Sequence, residues 1–290
     1  KLEKLEDMEK GDKKVIRGWV MYDWANSVYN LVISSAIFPI FFEKSTTSAY
    51  KERIGLTVVD TVKSEDVTSL FFGFEVTSSI LYSYVLAASF LLVSILSPIL
   101  SGIADFSGNK KNFMRFFNYL GAISCVGLFF FDPNHMELSM IPFFFASIGF
   151  WGSLVFYNSF LPEIAEPKDH DRISARGFSM GYFGSMVLLV LCLTWTMVLK
   201  YDVRYCFMFV GVWWIAFSQF SYSVLPSNVF KKKKEKGIIW KGFKELLLVH
   251  KEFKKTKRLK RFITSFFFFN TGVQTVMLMA TLYASREIFK

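Results

Sequence analysis

Seven apolar runs, each about as long as a membrane is thick, constrain this chain more than any other feature. They cover roughly residues 20–42, 80–103, 113–131, 139–161, 177–199, 205–225 and 262–285. A helix rises about 1.5 Å per residue, so about 20 residues cross the ~30 Å hydrocarbon core. The runs are continuous and do not alternate, which argues against a transmembrane β-barrel. A soluble domain of 290 residues, 52% hydrophobic and with 35 Phe, would not gather its apolar residues this way. The expected fold class is an all-α polytopic membrane protein.

Lys and Arg set the orientation. Segments 1–18, 104–115, 162–176 and 226–261 carry 26 of these residues, and the segments on the opposite side carry 8. Positive charge stays on the cytoplasmic side, so the N-terminus is expected there. The net charge of +10 is thus a topological signal; it implies a lipid bilayer as partner and no nucleic acid. The run Lys231–Lys234 reads as a solvated or anionic-lipid-facing surface. Beside it, Ile238, Ile239, Trp240, Phe243, Leu246 and Leu247 recur at roughly helical spacing between lysines. That suits a helix on the membrane surface, or a linker helix packed under the bundle.

These runs and charges divide the chain. Residues 1–19 are a cytoplasmic N-terminal segment, charged throughout and unlike a signal peptide. Residues 20–225 form a six-helix bundle, 226–261 a basic cytoplasmic linker, and 262–290 the start of a second bundle. This is the layout of the first half of a two-times-six transporter, with the first helix of the second half. The chain begins at Lys1 and not Met, as a fragment or processed chain would, and five further spans are expected beyond Lys290. Residues 1–290 alone are therefore expected not to transport. Seven-helix receptors, the competing layout, place the N-terminus outside, against the charge count.

No cofactor or metal site is expected. Cys125, Cys192 and Cys206 lie in apolar runs, where a thiol is a small hydrophobe. His135, His170 and His250 fall in loops and form no ligand set. A membrane enzyme would need a catalytic set at membrane depth, and no such set is visible.

Asp23 is the one acidic residue inside an apolar run. An ionisable group there is a functional group or an interfacial anchor; as an acid near a helix N-terminus it also suits a cap. Asp23, Asn26 or Ser27, Asn30 and Ser34 fall on one helical face, which should look at other helices or a water-filled cavity. Asp23 is a candidate to carry a proton or bind a substrate ammonium, and Asn26 and Asn30 to bind polar substrate atoms. Tyr157 and Asn158 add polar groups near the cytoplasmic end of the fourth span. Asn270 and Gln274, one turn apart in the seventh, are further candidates for a small-molecule substrate. Glu163 and Arg172, in the loop after the fourth span, read as gate residues or as solvated charges. Arg176 is a third gate candidate, or snorkels to headgroups. Gly177, Gly181 and Gly184 make a small-residue face for close helix packing.

The segment Ser97-Pro-Ile-Leu-Ser-Gly-Ile-Ala-Asp-Phe-Ser-Gly-Asn-Lys-Lys, between spans two and three, resembles the signature cytoplasmic loop of the major facilitator superfamily. Ile103, Ala104, Asp105, Gly108, Lys110 and Lys111 match in register. Ser101 replaces the opening Gly and Phe106 the usual Arg, which weakens the expected charge network. The resemblance assigns Asp105, Gly108, Lys110 and Lys111 to a cytoplasmic latch and not to substrate. Tyr22-Asp-Trp-Ala-Asn-Ser with Phe38-Pro-Ile-Phe-Phe resembles one branch, the vacuolar amino-acid effluxer-like (autophagy-related) family, which has bacterial members. Tyr157-Asn-Ser-Phe-Leu-Pro-Glu-Ile-Ala and Arg172-Ile-Ser-Ala-Arg-Gly-Phe-Ser-Met-Gly resemble the same branch. Members of that family often have an acid at the place of Thr271; its absence argues against charge coupling there. The resemblance implies the superfamily's fold and secondary active transport of small solutes by alternating access. It points to amino-acid export, with proton coupling through Asp23 as a sub-hypothesis, in a bacterial inner (plasma) membrane. A non-transporting sensor or scaffold on the same fold is the alternative.

Overall fold

The computed structural model describes residues 10–57, 62, 63, 66–107, 109–227 and 256–287; at 102–107, 278, 281, 282 and 285–287 it gives the backbone alone. Most of the basic linker, including the Ile238–Leu247 pattern, lies outside the described residues, as do Gly108 and the Asp105 side chain.

Seven helices account for the seven apolar runs. They are α1 (Lys13–Arg53), α2 (Ser78–Ser107), α3 (Lys110–Gly127), α4 (Met136–Ile164), α5 (His170–Leu193), α6 (Arg204–Val224) and α7 (Lys257–Glu287). Among the described residues, α1 to α6 are long and apolar enough to cross a membrane. A two-stranded antiparallel hairpin, β1 (Thr68–Phe71) and β2 (Phe74–Thr77), stands between α1 and α2. The protein is an all-α polytopic membrane bundle with this small β-hairpin at one end.

The helices outrun the apolar runs that predict them. Asp12 caps α1, its carboxylate accepting from the Lys14 amide at 2.6 Å, so the helix starts at Lys13, well before the apolar run read from residue 20. It continues through Glu43 to Arg53. Glu43 is buried, so α1 carries a second buried acid beside Asp23. The segments expected as cytoplasmic loops also shrink: α2 runs to Ser107, so Ala104, Asp105 and Phe106 are helical, and only residues 108 and 109 separate it from α3. Glu163 likewise belongs to α4, and Arg172 and Arg176 to α5.

A π-helical stretch, Tyr29–Ala36, interrupts α1. Each π turn takes in an extra residue and so shifts the phase of the residues after it. Burial divides the predicted polar stripe. Asp23, Asn26 and Ser34 are buried, while Asn30, the second residue of the π stretch, is exposed.

Helix α1 is the centre of the bundle, packed most extensively on α5 and α6. The α3–α4 crossing is a close one. There Gly121 and Gly149 meet backbone to backbone, and a Cβ on either would collide with the other helix or with Trp214. The core has two aromatic-rich regions along the bundle. One centres on Phe38, Tyr82, Phe143, Phe207 and Trp214. The other gathers Trp19, Tyr22, Phe156, Tyr157, Phe160 and Tyr222, and Asp23 lies against it. Helix α7 touches the π stretch and the second half of α1, and much of its surface is exposed.

Candidate functional site

Asp23 lies between three helices. It projects from α1, is 6% exposed, and accepts a hydrogen bond from the Tyr157 hydroxyl of α4 at 2.7 Å. Helix α5 closes the third side at Gly177, where an added Cβ would strike the Asp23 carboxylate and lie 3.2 Å from the Trp19 ring. The absence of a side chain at Gly177 is what gives the carboxylate its room. One turn on, Gly181 meets the Ser27 hydroxyl in the same way. The i, i+4 glycines thus seat the polar turn of α1 as well as bringing the helices close.

Tyr157 is held on both sides. Its ring stacks on Trp19 with centroids 4.3 Å apart, and the Trp19 indole N–H donates to the Tyr157 carbonyl at 3.0 Å. Tyr22 tilts against the same ring at 5.1 Å. The Asn118 amide donates to Ser218 Oγ at 2.8 Å and reaches the Tyr22 hydroxyl at 3.4 Å. A polar line therefore runs from Asp23 through Tyr157 and past Tyr22 to Asn118 and Ser218, joining α1, α4, α3 and α6. Asn26, 1% exposed, has its Nδ2 without a hydrogen-bond partner. Such a donor is costly in an apolar interior.

The structure brings Asp23, Asn26 and Tyr157 together but leaves other candidates apart. Asn158 is exposed, on the other side of α4 from Tyr157. Asn270 and Gln274 sit on a groove of about 480 Å³ between α2, α4 and α7, facing Phe90, Ser94 and Trp151. Thr271 and Thr275 border that groove, with their hydroxyls turned back to carbonyls of their own helix.

The helix ends around Lys110 and Lys111 are tied separately. Lys110 pairs with Glu163 at 2.6 Å, joining α3 to the end of α4. Lys111, 8% exposed, donates to the Leu225 carbonyl at 2.7 Å and Ser227 Oγ at 3.1 Å. That places a cation on the terminal carbonyls of α6, where the helix dipole favours it. The Gly11 amide donates to the Ile164 carbonyl at 2.9 Å, with Gly11 at φ +100°, a conformation that suits glycine. Arg172 pairs with Asp169, three residues away, at 2.9 Å and is mostly exposed; Arg176 is exposed too.

Two contributors do not stand out in the sequence patterns. Trp19 reads there only as the edge of an apolar run. Asn118 belongs to no motif, although a lone amide inside the third apolar run is a signal in its own right.

A family profile described as "Vacuole effluxer Atg22 like" matches residues 11–289. The chain belongs to this family. The Atg22-like chain is 29% identical over 288 residues to a Bacillus subtilis (strain 168) protein named "Uncharacterized MFS-type transporter YxiO", covering 96% of this chain and 62% of that protein. It is 20% identical over 370 residues to an "Autophagy-related protein 22" of Coccidioides immitis, covering 98% and 61%. With the protein of that name in Pyricularia oryzae it shares 24% over 283 residues, covering 73% and 41%. The chain thus spans about three fifths or less of the length of these relatives. No solved structure matches it. These relatives agree with the branch read from Tyr22–Ser27 and the segments after Tyr157. The Atg22-like chain is an integral membrane protein, and these relatives are named as a transporter or as autophagy-related proteins.

Proposed function

We propose that this chain is the N-terminal part of a secondary transporter that moves a small solute by alternating access, with Asp23 as its proton-binding group. The observation that carries the reading is the Asp23–Tyr157 hydrogen bond at 2.7 Å. A carboxyl buried between three helices, with one strong side-chain donor, holds its charge at a cost. Any motion that separates α1 from α4 removes that donor and favours the protonated form. Protonation and helix movement are then coupled, which is what alternating access requires of a driving ion.

The exposed amides Asn30, Asn158, Asn270 and Gln274 are the groups available to a substrate, and none carries charge. A neutral or zwitterionic solute fits them, and the effluxer name of the family supports export, with amino acids the class to test first. Lys110, Lys111 and Glu163 serve as the cytoplasmic gate in this reading. Asp105, Gly108, Arg172 and Arg176 complete it from the same end.

The test uses the full-length protein in proteoliposomes. A thermal-shift screen against amino acids, peptides, sugars and nucleosides first identifies a stabilising ligand. Asp23→Asn should then abolish uptake driven by a pH gradient and leave counterflow of that ligand intact. Unchanged pH-driven uptake in the variant would overturn the proposal.

A further inference from the structure

The hairpin between α1 and α2 has a tip that does not suit water. Register pairs Phe71 with Phe74, so Phe72 and Gly73 form a two-residue loop with φ of 49° and 81°. Both angles are positive, as in the type I′ turns that favour Asn-Gly. A Phe at the first position is disfavoured against such a residue, because its Cβ crowds the following carbonyl oxygen. Phe72 and Phe74 are nevertheless 72% and 73% exposed.

This tip is anchored. The Phe72 amide donates to Glu137 Oε1, in the first turn of α4, at 2.6 Å. Arg53, at the end of α1, reaches the Thr68 carbonyl at 3.1 Å and Glu75 at 3.7 Å. At the hairpin base the Ser69 and Ser78 hydroxyls bond at 2.8 Å. Two-stranded hairpins are marginal alone, and these ties fix this one against the ends of three helices.

Beneath it lies a groove of about 590 Å³ between α2 and α4, lined by Phe71, Phe72, Tyr84, Ala88, Ile141 and Phe144 among others. Its one charged lining residue is Glu137, whose carboxylate the hairpin already occupies. The groove opens onto the exposed apolar faces of both helices, at Tyr84, Leu91, Leu138 and Ile141. Exposed apolar faces on membrane-spanning helices suit lipid acyl chains, and the groove continues them.

We propose that the β1–β2 hairpin is a membrane-interface clamp, holding an acyl chain of a bilayer lipid in the α2–α4 groove with Phe72 and Phe74 inserted at headgroup depth. Large aromatic side chains at that level behave as anchors, which accounts for a strained Phe where Asn would serve in water.

Cys125, Cys192 and Cys206 are buried, so single introduced cysteines can be labelled selectively once any accessible cysteine outside residues 1–290 is replaced by Ser. Nitroxides at Phe72→Cys, Phe74→Cys and Ala88→Cys are compared with Asn134→Cys, in the exposed loop before α4, using full-length protein in phosphatidylcholine vesicles. At 88 molecular oxygen should relax the label more than a water-soluble nickel chelate does, at 134 the order should be reversed, and at 72 and 74 the oxygen-to-nickel ratio should lie between the two. A ratio at 72 and 74 equal to that at 134 would overturn the proposal. So would a label at 88 shielded from both reagents, which would put protein in the groove. Phe72→Trp with brominated lipids gives a second reading: quenching beyond that of the parent protein is expected, and no added quenching counts against insertion.

Discussion

Tyr157 of α4 donates its phenolic hydrogen to Asp23 of α1 at 2.7 Å, while its ring stacks on Trp19 four residues earlier in α1. One side chain thus makes both the polar and the apolar contact between these two helices. Tyr157→Phe separates the two, since it keeps the stacked ring and deletes only the hydroxyl. Asp23 is then left buried without its donor. We expect a loss of about 1–2 kcal/mol, the usual cost of an unmet buried hydrogen bond and the upper range found inside membranes. The thermal midpoint in detergent should fall. In the Tyr157→Phe background, Asp23→Asn should cost less than it does alone, because the two residues share one interaction.

Glycines at two crossings should respond differently to the same added methyl. At Gly177 it meets the Asp23 carboxylate, the Trp19 ring and the Tyr157 hydroxyl. These are side-chain atoms, so the protein should still fold, with Asp23 displaced and transport lost. At Gly149 it meets the Cα and N of Gly121, and backbone cannot rotate aside. Gly149→Ala should therefore destabilise more than Gly177→Ala, toward the upper end of the ~1–3 kcal/mol typical of overpacking. Comparing expression and thermal midpoints of the two variants checks the order.

The contrast reflects what is legible in the chain. The runs of apolar residues locate every membrane helix, because a bilayer demands about 20 such residues in a row. The Tyr22–Ser27 segment also marks the turn of α1 that meets Tyr157. Helix ends are less legible: Asp12 starts α1 ahead of the apolar run, and α2 runs on through Asp105, since capping and propensity carry helices past the hydrocarbon edge. The π stretch Tyr29–Ala36 leaves no local mark, and neither does the exposure of Asn30 beside buried Asn26 and Ser34. Partners far apart in sequence, such as Lys111 with Leu225, depend only on how the helices pack.

Lys111 gives a prediction at the start of α3. Its ammonium sits on the Leu225 carbonyl and is largely shielded from water, so Lys111→Met leaves terminal carbonyls of α6 without their cation. A hydrogen bond from a charged donor is worth about 1.5–3 kcal/mol, and a loss in that range is expected. Lys110 and Glu163 are 17% and 32% exposed, so screening reduces their pair to about 1 kcal/mol or less. Thermal midpoints should therefore drop further for Lys111→Met than for Lys110→Met.

The turn joining α5 to α6 should make stability fall in acid. Asp202 accepts from the Arg204 backbone amide at 2.8 Å and from its guanidinium at 2.9 Å. The Arg204 guanidinium therefore holds the Asp202 carboxyl below its ordinary value of 3.8. A depressed folded-state value means the folded protein binds fewer protons than the unfolded chain near that pH, so stability rises with pH there. The contribution is fully present above about pH 4 and is lost as pH falls through the lower folded value. Asp132 adds to the same trend, because His135 and the Asn134 amide hold its carboxyl low. Both carboxylates are more than a third exposed, so each contribution is screened and the slope should be shallow. Asp202→Asn removes one titrating group. Its thermal midpoint should lie below that of the parent at neutral pH and converge with it as pH drops below about 4. Parallel curves with no convergence would assign the loss to the turn's shape and not to the charge.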